Sequence, residues 1–151
     1  MNNKRVHLHS RKKILYQSKR CYPQKKKKSF AKKEKLCSKI LIEKLFKEGK
    51  NEFAYPFKFL YLEKEIIDDE LPKILIIVNK KGFKKATDRN LLKRRTREAY
   101  RIKKNDLFKD RKNHFILCAA FIFIAKEKVD FKVIQNGIQQ IIKKINKKFS
   151  I

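Results

Sequence analysis

Arg89, Asn90, Lys93, Arg94, Arg97 and Arg101 follow one another at steps of one, three and four residues. Arginine offers phosphate a planar fork of N–H donors, and asparagine donates and accepts at a base edge or a ribose. At 100° per residue, Arg89, Lys93, Lys104, Arg97, Asn90, Arg101 and Arg94 share about 140° of arc. Leu91, Ile102, Ala99 and Leu92 share another arc of about 100°, with Arg95 near its middle. Residues 79–104 hold 12 Lys/Arg against two acids, Asp88 and Glu98, a local excess of +10. The pattern predicts a helix entered through a turn at Gly82, with one apolar face and one cationic face. Repulsion along the cationic face calls for a polyanion.

Catalysis by the chain's own side chains finds little support. His7 and His9 lie in a lysine-rich opening stretch, and His114 sits alone at a strand edge, with no second histidine or carboxylate accompanying it in a stretch read as ordered. A protein acid–base pair for phosphodiester cleavage is therefore not expected. Three scattered glycines make no phosphate-cradling loop. Asp68, Asp69 and Glu70 read as an acidic surface turn, and Cys21, Cys37 and Cys118 match neither a zinc pattern nor a disulfide framework. No metal site and no organic cofactor are expected on the protein.

The elements that position the basic helix can be read in order. Residues 1–33 are rich in lysine, with an unbroken run at 25–28, and read as a disordered basic tail. The folded domain is expected over 34–151. Ser38 caps a helix to about Lys47, and Gly49 ends it. A short edge piece at 52–54 is followed by a strand at 57–62, with Phe57, Phe59 and Tyr61 on one side and Lys58 and Leu60 on the other. Residues 63–70 form the acidic turn. Residues 73–78 are β-branched and continuous enough to predict a strand buried on both faces. Beyond the basic helix and a polar loop at 109–113, residues 115–125 predict another central strand. Asp130 caps a last helix whose Ile134, Ile138, Ile141, Ile145 and Phe149 repeat at helical spacing. The order α-β-β-β-α-β-α predicts an α+β sandwich, a four-stranded mixed sheet packed with helices.

At 151 residues one domain is expected, and a charge of +28 with a pI near 10.2 favours nucleic acid or an anionic surface as partner. The longest apolar run, 115–125, is too short to span a bilayer, and no opening segment resembles a signal peptide. The cytoplasm is the expected location, with neither membrane nor protein partner. These features alone suit a surface for single-stranded or structured RNA, and leave a structural RNA-binding protein of the ribosomal or assembly type and a DNA-binding protein with its helix in a groove equally open.

The residues of the basic segment carry a resemblance. The pair Lys80-Lys81, the turn at Gly82, Lys85, and the run Arg89-Asn90-Leu91-Leu92-Lys93-Arg94-Arg95-Thr96-Arg97-Glu98-Ala99-Tyr100-Arg101 resemble the signature of the bacterial ribonuclease P protein subunit. In that family a lysine pair precedes Arg-Asn-Arg-x-x-Lys-Arg-x-x-Arg-Glu-Ala-aromatic-Arg. Residues 45–50 and 55–57 are similar to the family's first helix and the start of its sheet. The resemblance covers about 36–147 and implies a left-handed βαβ crossover. It also implies that a catalytic RNA with bound Mg²⁺ removes the 5′ leader of precursor tRNA, while the protein binds the leader and supports the RNA fold and its metals.

By the same resemblance Lys80, Lys81, Lys85, Arg89, Asn90, Lys93, Arg94, Arg97 and Arg101 face the RNA. Phe46, Phe59 and Tyr61 are assigned to a leader cleft between the first helix and the sheet. Leu91 replaces the last arginine of Arg-Asn-Arg, on what reads as the apolar arc. Arg95 stands where the family has an aliphatic residue, and Ile42 and Leu60 stand where it often has aromatics.

Overall fold

The computed structural model describes residues 30, 32–65, 72–108 and 114–149. The stretches 1–29, 66–71 and 109–113 lie outside them, and with them most of the basic tail, most of the acidic turn and the polar loop. The elements are α1 (Lys39–Glu48), β1 (Lys50–Ala54), β2 (Phe57–Glu65), β3 (Lys73–Val78), α2 (Ala86–Lys103), β4 (His114–Phe123) and α3 (Phe131–Phe149). The α+β order is the one expected.

Local chemistry sets the boundaries. The Ser38 side chain accepts from the Leu41 N–H at the start of α1, and the Gly49 N–H closes the helix on the Leu45 carbonyl. β1 and β2 form a tight hairpin through Tyr55 and Pro56, with Ala54 opposite Phe57 and Phe53 opposite Lys58. Asp130 stands at the N-cap position of α3, its carbonyl accepting from Val133 and Ile134.

The sheet order is β1-β2-β4-β3. β1, β2 and β4 pair antiparallel, while β3 pairs parallel with β4. A parallel neighbour needs a crossover, and α2 supplies it. β4 is central as expected. β3, predicted to be buried on both faces, is an edge strand with half-buried Leu75, Ile76 and Ile77. Its outer edge is partly covered, because Lys35 bridges to Ile74 and the Leu36 N–H donates to the Ile74 carbonyl. Pairing of this kind protects an edge that would otherwise template association.

Period-two alternation divides the sheet into two faces. Phe57, Phe59, Tyr61, Ile74, Val78, Ala119, Phe121 and Phe123 pack beneath α2 and α3, with Leu92, Tyr100, Ile134, Ile138, Ile141 and Ile145. Leu60, Leu62, Cys118 and Ala120 pack on the other face beneath Leu45, Leu41 and Ile42 of α1. Gly137 lets α3 approach the hairpin, since a β-carbon there would lie 2.5 Å from the Tyr55 carbonyl oxygen and 2.8 Å from Pro56 Cδ. A glycine that weakens the helix by its propensity is thus required by packing.

The described residues before α1 pack against the end of α2. Phe30 meets Tyr100 edge-on at 6.0 Å, and Lys32–Glu34 form a 3₁₀ turn. Glu34 and Lys104 make a buried ion pair of 2.8 Å. This pair ties the start of the domain to the end of α2.

Candidate RNA interface

The turn before α2 is built by side chains, and no glycine in the described residues adopts positive φ. The Asn79 Oδ1 accepts from the Lys81 N–H at 2.9 Å, and the Phe83 N–H closes back on the Asn79 carbonyl. Phe83 is buried against Phe123 and anchors the turn. Lys80, Lys81, Lys84 and Lys85 remain exposed around it.

α2 is rotated relative to the face predicted from its apolar residues. Its buried side chains are Leu92, Thr96, Ala99 and Tyr100. Tyr100 falls inside the predicted cationic arc, yet its ring lies between Phe30 and Phe121. Thr96 can be buried because its hydroxyl donates to the Leu92 carbonyl at 2.8 Å, satisfying its polar group within the helix. The exposed arc accordingly centres on Asn90, Arg94 and Arg97, with half-buried Arg101 beside them, and it reaches Leu91, which is 39% exposed. Leu91 is therefore on the solvent side of the helix, not in the core as its apolar character suggested.

The predicted cations divide into different roles. Arg94 and Arg97 are exposed, and neither has a carboxylate partner among the described residues. Lys93 is half-buried beside them, and Asn90 is exposed. Arg89 is half-buried, and its Nη1 donates to the carbonyls of Phe83 (2.8 Å) and Lys84 (2.7 Å). It fastens the lysine-bearing turn to the helix, a use that charge counting did not reveal. Arg101 forms a two-pronged pair with Glu98, at 2.9 Å through Nε and 2.5 Å through Nη2. The pair lowers the Glu98 pKa and raises that of Arg101, in each case first through the side-chain hydrogen bond. Arg95 reaches across to the Val129 carbonyl at 3.0 Å, which satisfies a guanidinium at the edge of the core. Asp88 pairs with Lys128 at 2.9 Å, so α2 is joined to the loop before α3 at two points.

The cleft assignment needs correction. Phe59 and Tyr61 are fully buried under α2 and α3, on the sheet face opposite α1. Burial pushes the Tyr61 phenol pKa up. Neither can line a cleft between α1 and the sheet. Phe46 of α1 is 51% exposed. Lys58, and Phe53 opposite it on β1, lie on the α1 face and are exposed, and no sequence motif singles out Phe53. The signal was available: opposite residues in an antiparallel pair share a face.

Among the described residues, no group of three His, Cys, Asp or Glu side chains could hold a metal ion, and no helix is long and apolar enough to cross a membrane. The surface consists of exposed arginines, lysines and an amide on α2 and its preceding turn, with apolar and aromatic groups across the sheet. That arrangement suits phosphate and single-stranded nucleic acid.

Comparison with known proteins agrees with this description. The family model for Ribonuclease P matches residues 30–146. The ribonuclease P protein component of Porphyromonas gingivalis is 32% identical over 113 residues, 73% of this chain and 81% of that protein. The one from Petrotoga mobilis is 30% identical over 124 residues, 78% of this chain and 95% of that protein. The ribonuclease P protein of Thermotoga maritima superposes with a TM-score of 0.55 at 29% identity, covering 74% of this chain and 97% of that one. The Staphylococcus aureus protein shares the fold, with a TM-score of 0.56 at 21% identity over 77% and 97% of the two chains. The chain belongs to the ribonuclease P protein family, whose members assist an RNA subunit in tRNA 5′ processing as part of an endoribonuclease.

Proposed function

We propose that this chain binds a bacterial ribonuclease P RNA through α2 and its preceding turn, and the 5′ leader of precursor tRNA across the opposite sheet face. The observation that carries the first part is the exposure of Arg94 and Arg97 beside Asn90, neither arginine having a carboxylate partner among the described residues. Phosphate contact relieves their repulsion and releases counterions. For the leader, Phe46, Phe53 and Lys58 replace the earlier pair Phe59 and Tyr61. Two aromatic faces and a cation near one sheet surface suit stacked, single-stranded nucleotides.

Mg²⁺ is held mainly by the RNA in this reading, and no step is assigned to protein side chains. The protein supplies fixed positive charge, which lowers the metal concentration the folded RNA requires. Reconstitution with the RNA and precursor tRNA at low Mg²⁺ tests this. The protein should stimulate 5′ cleavage, and Arg94→Ala with Arg97→Ala should flatten the salt dependence of RNA binding by about one to two in log–log slope. A purely structural RNA-binding protein would bind without stimulating cleavage.

The exposure of Leu91 adds a gain-of-function expectation. Leu91→Arg restores the third cation of the family signature on the solvent side of α2. RNA affinity should rise, with the salt slope steeper by about 0.7–0.9 for one added phosphate contact. An unchanged titration curve would place position 91 outside the interface.

A further inference from the structure

We infer that the outer face of α3 is a second phosphate-contacting surface for the structured RNA partner, lying beside α2 in the same helix layer. This rests on the proposed RNA-binding role of α2 and extends it to an element that neither the family signature nor the cation-rich turn includes.

α3 contains five lysines and no acid. Two of the lysines are used inside the molecule: Lys144 donates to the Phe53 carbonyl at 2.5 Å, and Lys148 pairs with Glu52. The other three, Lys132, Lys143 and Lys147, are exposed, and none has a carboxylate partner among the described residues. Together with Asn136 and Gln139 they occupy positions i, i+4, i+7, i+11 and i+15. The same spacing, offset by two residues, gives Ile134, Ile138, Ile141, Ile145 and Phe149 on the buried side. Two residues turn a helix by about 200°, so the polar stripe is the opposite face of the core stripe. From Lys132 to Lys147 it runs about 22 Å at 1.5 Å per residue.

Helix electrostatics do not explain this stripe. Cations in the last turn complement the macrodipole, which accounts for Lys147, but Lys132 sits at the positive end, where a cation is unfavourable. Lys143 and Lys147 are an i,i+4 like-charged pair, which an isolated helix disfavours. Solubility does not require further lysines in a chain already at +28. The stripe repeats the composition of the α2 face, cations with an interspersed amide, and a phosphate backbone would offset its repulsion. An anionic membrane fits less well. The apolar side that would enter the bilayer is buried on the sheet, and the stripe itself carries no apolar residue. α2 and α3 pack against each other over one sheet face, so their outer surfaces look the same way.

The test uses the full chain and a bacterial ribonuclease P RNA without precursor tRNA, titrated over a range of KCl. The triple variant Lys132→Gln, Lys143→Gln, Lys147→Gln should flatten the log–log slope by about two to three. A control removing three charges from the opposite side, Lys39→Gln, Lys44→Gln, Lys47→Gln on α1, should change it by less than half as much. Equal flattening by both triples would show a general field effect and overturn the inference, as would an unchanged slope for the α3 triple. If that triple instead lost binding to phosphatidylserine vesicles, the stripe would serve a membrane and the inference would again fall. Arg94→Ala with Arg97→Ala runs in parallel. If it flattens the slope while the α3 triple does not, only this inference fails. If neither does, the reading of α2 fails as well.

Discussion

Phe59→Ala is expected to destabilise the protein by about 3–5 kcal/mol, while Phe46→Ala leaves stability within about 0.5 kcal/mol. Phe59 lies 4.6 Å from Phe121 and 5.8 Å from Tyr61, ring centre to ring centre, with no exposed surface. Its removal leaves a cavity that neighbours in a closely packed core fill only in part. Phe46 is 51% exposed on α1, so its loss removes far less buried area from the free protein than the loss of Phe59 does. Urea melts of the two variants should therefore differ widely. Precursor tRNA affinity should fall for Phe46→Ala in the reconstituted enzyme. A stable Phe59→Ala protein with weakened leader binding would reinstate Phe59 in the cleft and overturn the sheet-face assignment.

Glu34→Ala should cost about 3–5 kcal/mol, because it breaks a buried ion pair with Lys104. The two side chains are 2% and 9% exposed, 70 residues apart in sequence and 2.8 Å apart in space. Both side chains are buried, so breaking the pair costs far more than it would at the surface. Replacing both, with Glu34→Met and Lys104→Met, should recover most of the loss. Thermal or urea unfolding of the two single variants and the double variant gives the coupling directly. Single variants that lose less than about 1 kcal/mol would show the pair to be solvated, which surface pairs typically are. The same experiment bears on the residues before α1, since Phe30 and Glu34 attach that segment to the end of α2. A truncation before Phe30 should retain the fold, whereas one ending at 33 removes the ring that covers Tyr100.

Local signals placed nearly every element. Ser38 and Gly49 bound α1, the spacing of isoleucines defines α3, and the β-branched run at Lys73–Val78 forms the strand it predicts. These patterns are legible because capping, helical periodicity and β-branching act within a few residues of the chain. The basic segment is legible for the same reason, and its long motif carries the family resemblance by itself.

The sequence by itself determined the fold class, the cationic helix and the family, whose membership implies an RNA partner. Only the tertiary structure decided which side of each element faces which neighbour. Tyr100 is buried because Phe30 and Phe121 meet it from distant parts of the chain, which turns α2 and brings Leu91 to the surface. Arg89 and Arg95 bond to backbone carbonyls that packing delivers, so their charge did not reveal their role. Phe59 and Tyr61 left the cleft because alternation shows that two residues share a side, without showing which helix lies over that side. The physical reason is common to all of these. Periodicity is a property of one segment, whereas burial is a property of two surfaces that the chain joins only by folding.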